Sequence, residues 1–297
     1  MDIRQLKYFL MVAEEGQITR AAKRLHMEQP PLSRQMKMME QELGVRLFDR
    51  NRTGLKLTEA GELLRQKAES LLLQLDEATR EVKEIEEGVR GVLSIGSVVS
   101  CISLLPTHIG RFREQYPQVT FKISEGDHYQ LGEQLEKRMI ELVIARLPFE
   151  AQTSTYQYDI LPLSSDPFVV VIPSSWVSFS GKESISMQQL ASFPFLTLKT
   201  DRTTRMHEQV MDACRLHGFE PDVICECSSV AIIMSLIAEG IGATVFPKSV
   251  MSSFPATVVK MLYIEDTDFQ SDVGIIWLKD RYLSKSAQHF IDLFRMD

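Results

Sequence analysis

The side chains in this sequence best equipped for chemistry are hydrogen-bond donors and cations gathered on one short segment. Gln29, Pro30, Pro31, Ser33, Arg34 and Lys37 alternate there with Leu32, Met36, Met39 and Leu43, whose steps are four, three and four residues. That spacing predicts one helix with an apolar row turned inward and Gln29, Ser33, Arg34 and Lys37 turned outward. Amide, hydroxyl and guanidinium groups on an outward helix face can hydrogen-bond base edges and phosphates, and a proline ring can touch a thymine methyl. A second basic set, Arg50, Arg52, Thr53 and Lys56, falls in a polar turn between two short strand-like runs within 45–57. Such a hairpin suits the DNA backbone, where contact adds affinity and salt dependence without sequence choice.

Three helices and a wing are needed to hold these groups. Leu6, Phe9, Leu10 and Ala13 recur at helical spacing up to Gly16, and a second helix spans 18–25, its Ala21 and Ala22 allowing close approach. Residues 26–29 make a turn, Pro30 and Pro31 open the third helix, where proline costs little, and Gly44 closes it. The region from 59 to 87 holds the longest periodicity: Gly61, Leu64, Ala68, Leu71, Leu75, Ala78, Val82 and Ile85 alternate by three and four. Thr58 suits its N-cap, and Gly88 and Gly91 suit its end. A helix of that length would run about 43 Å, too long for one narrow stripe to be buried locally. The seam Leu64, Ala68, Leu71, Leu75, Ala78, Val82, Ile85 therefore predicts a dimer, the alternative being packing on its own chain.

Composition agrees with such a division. Lys and Arg number 33 against 40 Asp and Glu in 297 residues, a net charge of −7, yet residues 1–58 hold eleven Lys/Arg and seven Asp/Glu. A head of +4 on a body of −11 suggests that one end alone meets a polyanion. No phosphate-binding glycine loop, no G-x-S-x-G and no H-E-x-x-H occurs, so catalysis and metal binding are not signalled and no cofactor is called for. Cys101, Cys214, Cys225 and Cys227 show no C-x-x-C spacing and read as buried free thiols. A leader pattern and a run of about 18 apolar residues are both missing, which places the chain in the cytoplasm and off the membrane.

After Gly91 strands alternate with helices. Strands are expected at 92–98, 119–125 and 141–146, with helices at 104–116 and 129–139, then strands at 167–173, 195–198, 223–227 and 243–246, a mostly parallel α/β arrangement in two parts.

The first sixty residues resemble the LysR-type transcriptional regulators. The resemblance rests on Ala21-Ala22-Lys23-Arg24-Leu25, on Gln29-Pro30-Pro31-Leu32-Ser33-Arg34-Gln35, on Glu40 with Leu43-Gly44-Val45 and Leu47-Phe48-Asp49-Arg50, and on Leu57-Thr58-Glu59-Ala60-Gly61. It implies an N-terminal all-α winged helix-turn-helix (1–58), a dimerisation linker helix (59–88), a hinge (89–91) and an α/β effector domain like periplasmic binding proteins. Subdomain I of that domain would be 92–162 with 267–297, and subdomain II 163–266. The implied partners are inverted-repeat double-stranded DNA, a second copy within a tetramer, and RNA polymerase if the protein activates. One departure stands out: the family often has Ser where this chain has Glu28, a poorer cap close to DNA phosphates.

The resemblance also implies a small metabolite between the two subdomains. The run Ser97, Val99, Ser100 and Cys101 leads from a strand into a helix start that favours an anion, Ser100 being either a ligand group or an ordinary cap. Arg146, ending a strand, resembles the arginine that holds a carboxylate in members responding to aromatic or dicarboxylic acids; its other reading is a structural ion pair. Thr200, Arg202 and Thr203 are candidates from the second subdomain, and Phe246 for an apolar wall. Cys101 at a helix start is a setting that lowers a thiol pKa and opens a peroxide-sensing reading. An enzyme and a solute-binding transport protein are the competing classes, and both should ignore duplex DNA.

Overall fold

The computed structural model describes residues 1–51, 54–87, 89–151, 156–200, 202, 204–254 and 257–296. The chain divides into two units, Met1–Glu86 and Glu87–Asp297.

In the first unit α1 (Ile3–Glu15) opens with a reciprocal cap, in which the Asp2 carboxylate accepts from Gln5 N at 2.8 Å and the Gln5 side chain accepts from Asp2 N at 2.9 Å. Next come α2 (Ile18–Arg24) and α3 (Gln29–Leu43), which begins at the two prolines and stops at Gly44, left-handed with φ 70°. Phe9, Val12, Ala21, Ala22, Leu32, Met36 and Met39 close the core between them. The inward row ends a turn sooner than its spacing suggests, because Leu43 is 40% exposed.

The wing is the antiparallel hairpin β1 (Phe48–Asn51) and β2 (Gly54–Leu57), with Asp49 opposite Lys56. It starts later than position 45 because the Glu40 carboxylate takes the N–H groups of Leu47 and Phe48 at 2.9 and 3.2 Å. Gly54 lies at φ 140°, and a Cβ there would stand 2.6 Å from the Gly16 carbonyl; no other residue lets the wing lie so close to the end of α1.

The helix α4 (Glu59–Glu87) has the span its periodicity predicts. Thr58 caps it, accepting from Gly61 N at 3.0 Å and donating to Arg46 O at 2.7 Å. The seam divides along its length. Ala68 is fully buried in the unit's own core and Leu64 packs on it, so these two are spent on the same chain, a correction to the single-purpose stripe. Leu71, Leu75, Ala78 and Val82 are exposed. The side chain of Ile85 lies outside the described set, as do Gly88 and the wing residues Arg52 and Thr53 and the side chain of Arg50.

The second unit runs β3 (Gly91–Ser97), a short 3-10 turn (Val99–Leu104), α5 (Leu105–Gln115), β4 (Val119–Glu125), α6 (His128–Glu136), β5 (Leu142–Arg146) and β6 (Tyr158–Pro162). It continues with β7 (Asp166–Pro173), β8 (Ser184–Ile185), β9 (Pro194–Leu198), α7 (Arg205–Leu216), β10 (Asp222–Cys227), α8 (Val230–Ala238), β11 (Thr244–Pro247), β12 (Val259–Ile264) and β13 (Gln270–Ser271). The chain ends in β14 (Val273–Leu278) and α9 (Lys285–Arg295).

Two five-stranded sheets result, ordered β4-β3-β5-β14-β6 and β11-β7-β12-β8 with β13 also on β7, beside the pair β9-β10. They are mixed where a mostly parallel arrangement was expected: β14 is antiparallel to β5 and β6, and β7 is antiparallel to β11, β12 and β13. The reason is the path of the chain. It leaves the first sheet after β6, builds the second, and re-enters through β14 in the opposite sense. Strand β7 is buried on both faces, with Phe168, Val170 and Ile172 in one cluster and Val169 and Val171 in another.

Candidate nucleic-acid interface and ligand cleft

Successive residues on a helix turn by about 100°, which places Pro30, Ser33, Arg34 and Lys37 on one arc of α3, opposite the buried Leu32, Met36 and Met39. Gln29, Pro30, Arg34 and Lys37 are exposed, and Pro31 and Ser33 half-buried. Arg34 and Lys37 have no acid holding them among the described residues. Neighbouring Arg24 on α2 differs, since Glu14 and Glu15 hold it at 2.7 and 2.6 Å. The arc also presents Gln41, and Met38 at its edge, which residue type alone did not single out. Lys56 is exposed on β2. Glu28, the N-cap residue of α3, is exposed and makes no side-chain cap hydrogen bond.

The cleft of the second unit lies beyond the C-terminal ends of β3, β4, β5 and β9, where the backbone turns into Val99–Leu104 after β3, into α6 after β4 and into α7 after β9. Such strand ends, followed by helix starts with unused N–H groups, are where open α/β sheets bind ligands. The empty space over it is about 600 Å³ with open solvent included. Val99, Ser100, Arg146 and Thr200 line it, as expected from the sequence, together with His128, Arg205, Met206, Gln209 and the Leu147-Pro148 wall.

Arg146 is the best-held group there. Its guanidinium is buried and donates to the Asp166 carboxylate at 2.9 Å, to the Ser100 carbonyl at 2.7 Å, to Ser249 Oγ at 3.2 Å and to Ser100 Oγ at 3.4 Å. Asp166 is buried as well and also accepts from the Ser249 backbone N–H at 3.0 Å and from the Ser249 hydroxyl. The ion pair thus ties the end of β5 to the first residue of β7 and to the turn Lys248–Ser253. Of the two readings that the sequence left for Arg146, the structural ion pair is the one these contacts describe.

His128 is buried on the cleft wall, and its Nδ1 accepts the Glu150 N–H at 3.1 Å, which leaves the ring proton on Nε2. Burial holds its pKa down at about 4, so the ring is neutral at physiological pH. Arg205, the first residue of α7, is half exposed and stands 3.7 Å from the Glu150 carboxylate. Sequence reasoning passed over both, although the signal that found Ser100 applies to them: each opens a helix just after a strand or its loop.

The remaining candidates lie elsewhere. Phe246 is fully enclosed in the core beside α8 and is no part of the cleft wall. Ser97 is buried and donates to the Val98 carbonyl at 3.1 Å. Arg202 is exposed and off the lining, and Thr203 lies outside the described residues. Cys101 is fully buried, and burial pushes its thiol pKa up, outweighing the nearby Arg146. That is the opposite of the activation expected from its helix start, because loss of water disfavours the thiolate more than the neighbouring charge helps it.

Comparison with known proteins covers the whole chain. Residues 3–62 match the model described as bacterial regulatory helix-turn-helix protein, lysR family, and residues 86–297 that of the LysR substrate binding domain. The chain is 36% identical over 296 residues to the HTH-type transcriptional regulator BsdA of Bacillus subtilis (strain 168), covering 99% of this chain and 100% of BsdA. It is 29% identical over 294 residues to AlsR of the same organism, covering 99% and 95%. Among solved structures, full-length CbnR complexed with its target DNA superposes with a TM-score of 0.72 at 24% identity, covering 100% of this chain and 99% of that one. Full-length BenM superposes with a TM-score of 0.58 at 26% identity, covering 100% and 96%.

Proposed function

The chain belongs to the LysR family of DNA-binding transcriptional regulators, with an effector-binding domain and no enzymatic role, and from that premise we propose that it binds an inverted-repeat operator as a dimer under the control of a small carboxylate-bearing metabolite. The observation that carries the DNA-binding mode is the arc of α3, where Arg34 and Lys37 stand exposed beside Ser33 with no acid to hold them among the described residues. Gln29, Ser33 and Arg34 read base edges and Pro30 touches a thymine methyl, while Pro31 sets the helix start. Lys37, Arg50, Arg52, Thr53 and Lys56 hold phosphates.

Leu71, Leu75, Ala78 and Val82 form the seam to a second copy, within a tetramer, and when the protein activates it does so through RNA polymerase. Residues 1–58, 59–88 and 89–91 serve as DNA-binding domain, linker and hinge. Residues 92–162 with 267–297 and residues 163–266 serve as the two effector subdomains. No described helix is long and apolar enough to cross a membrane, and the protein acts where its DNA is, in the cytoplasm.

The effector reading is supported by the starts of Val99–Leu104 and α7 on one cleft, with Arg205 at the second; the start of α6 there is capped by Asp127, which accepts from Gln130 N at 2.7 Å. Because Arg146 is already paired with Asp166, Arg205 and the adjoining N–H groups are the better seat for the carboxylate. A gel shift with a short inverted repeat tests the first half: the protein should bind and lose affinity steeply as salt rises, whereas indifference to duplex DNA would end the reading. Calorimetry with benzoate-like acids tests the second. Arg205→Gln should weaken binding strongly, and an unchanged affinity would remove Arg205 from the site.

A further inference from the structure

The second unit has another recess beside the cleft, with Val99 on the wall of both. Ile102, Val230, Val250 and Phe254 make it largely apolar, and the empty space over it is about 560 Å³ with open solvent included. Its polar lining residues are Ser103, Ser229 and Glu125, of which Glu125 alone carries charge. Two of its walls are the turns Val99–Leu104 and Lys248–Ser253, which hold Arg146 and Asp166 through Ser100 and Ser249 and are thereby fixed in place.

The hydroxyl of Ser103 is the odd feature there. Its Oγ is buried and makes no hydrogen bond, which among the described residues is true of one other side-chain atom, His289 Nδ1. Serines on other helical turns of this unit bond back to a carbonyl of the preceding turn: Ser235 Oγ donates to Ala231 O at 2.9 Å and Ser252 Oγ to Ser249 O at 2.6 Å. Ser103 sits on such a turn and does not. An unpaired buried hydroxyl is costly and rare enough to need a reason. Ser229, by contrast, is already used, since its Oγ accepts from Ile232 N at 3.4 Å and its N–H goes to Cys227 Sγ at 3.3 Å.

We propose that this recess is a second small-molecule site, taking a neutral, mainly apolar molecule whose single hydroxyl or carbonyl oxygen pairs with Ser103. Apolar walls suit a ring or a short aliphatic body, and Glu125, with no cation beside it in the lining, disfavours a carboxylate. Two pockets that share Val99 then sort their ligands by charge, the cleft through Arg205 and the recess through Glu125. The site stands apart from the carboxylate reading above and does not depend on it.

The test follows benzyl alcohol and benzoate binding to the purified full-length chain by ligand-observed NMR titration, with thermal unfolding recorded for every variant. Ser103→Ala, which removes only the hydroxyl, should weaken benzyl alcohol about three- to tenfold without lowering the unfolding temperature. Ala231→Phe, at an exposed position of α8, fills the recess and should abolish benzyl alcohol binding, whereas Gln209→Trp, which fills the cleft instead, should leave it unchanged. No saturable binding to the wild-type chain overturns the proposal, as does an affinity within about twofold of wild type for Ser103→Ala. Loss of benzyl alcohol with Gln209→Trp but not with Ala231→Phe puts the molecule in the cleft and overturns it too. Benzoate lost with Ala231→Phe and kept with Arg205→Gln overturns the preference for neutral ligands. Benzoate that binds nowhere ends the carboxylate reading, and the benzyl alcohol titrations still decide this one.

Discussion

The two units treat charge in opposite ways. On α3, Arg34 and Lys37 are exposed with no acid to hold them among the described residues, whereas in the cleft Arg146 is buried and makes four hydrogen bonds to Asp166, Ser100 and Ser249. An exposed, unpaired cation is available to a partner at almost no cost to the fold. A buried one is stable only through its partner, because an uncompensated charge out of water costs several kcal/mol. The same residue type is therefore free for a partner in one unit and part of the architecture in the other.

The contrast breaks most readily at the ion pair. Asp166→Ala should destabilise the second unit by about 3–5 kcal/mol in urea unfolding, since it leaves a buried guanidinium unmatched. A loss below 1 kcal/mol would show that Arg146 is free to serve a ligand after all. Next in size is a pH effect confined to the cleft. The unfolded chain protonates His128 near pH 6.5 and the folded chain only near 4, so the unfolded state binds more protons between those values. Stability should therefore fall as pH drops from about 6.5 to about 4, by up to about 3 kcal/mol, and denaturant titrations of His128→Gln should show that slope reduced.

On the exposed side the sign of the experiment reverses. Arg34→Ala should leave unfolding within about 0.5 kcal/mol of wild type but cost about 1–3 kcal/mol in operator binding, measured by anisotropy at fixed salt. Equal losses in both measurements would erase the distinction between the two regions. The smallest effect belongs to the junction with the linker helix. Thr58→Ala removes the bonds to Gly61 N and Arg46 O and should lower the stability of the first unit by about 1 kcal/mol.

Legibility follows the same division. The helices of the first unit could be placed from Gly16, Pro30, Pro31 and Gly44, because these residues act locally on the backbone that carries them. Apolar period alone could not tell that Ala68 faces its own core while Leu71 faces outward, since the same three-four spacing serves both. In the second unit β12 and β14 escaped notice: 259–264 and 273–278 are short apolar runs that no local signal separates from a buried helix. Their antiparallel senses follow from the route of the chain between sheets.

The cleft shows the limit most clearly. Ser100 and Arg146 were found as strand-end residues, and His128 and Arg205 could have been found by the same rule. Phe246 was misplaced because a residue following an inner strand has two directions open to it, and only the packing of α8 selects the inward one.

By itself, then, the sequence determined the winged helix-turn-helix, the span of the long helix and the outward arc of α3, all of which depend on residues close together in the chain. Only the tertiary structure decided that Arg146 pairs with Asp166, that Cys101 is sealed in a core and that Leu64 and Ala68 of α4 pack into their own unit while Leu71 and Leu75 stay exposed. Each of those rests on contacts between residues far apart in sequence, whose burial sets whether a charge or a thiol is free to act.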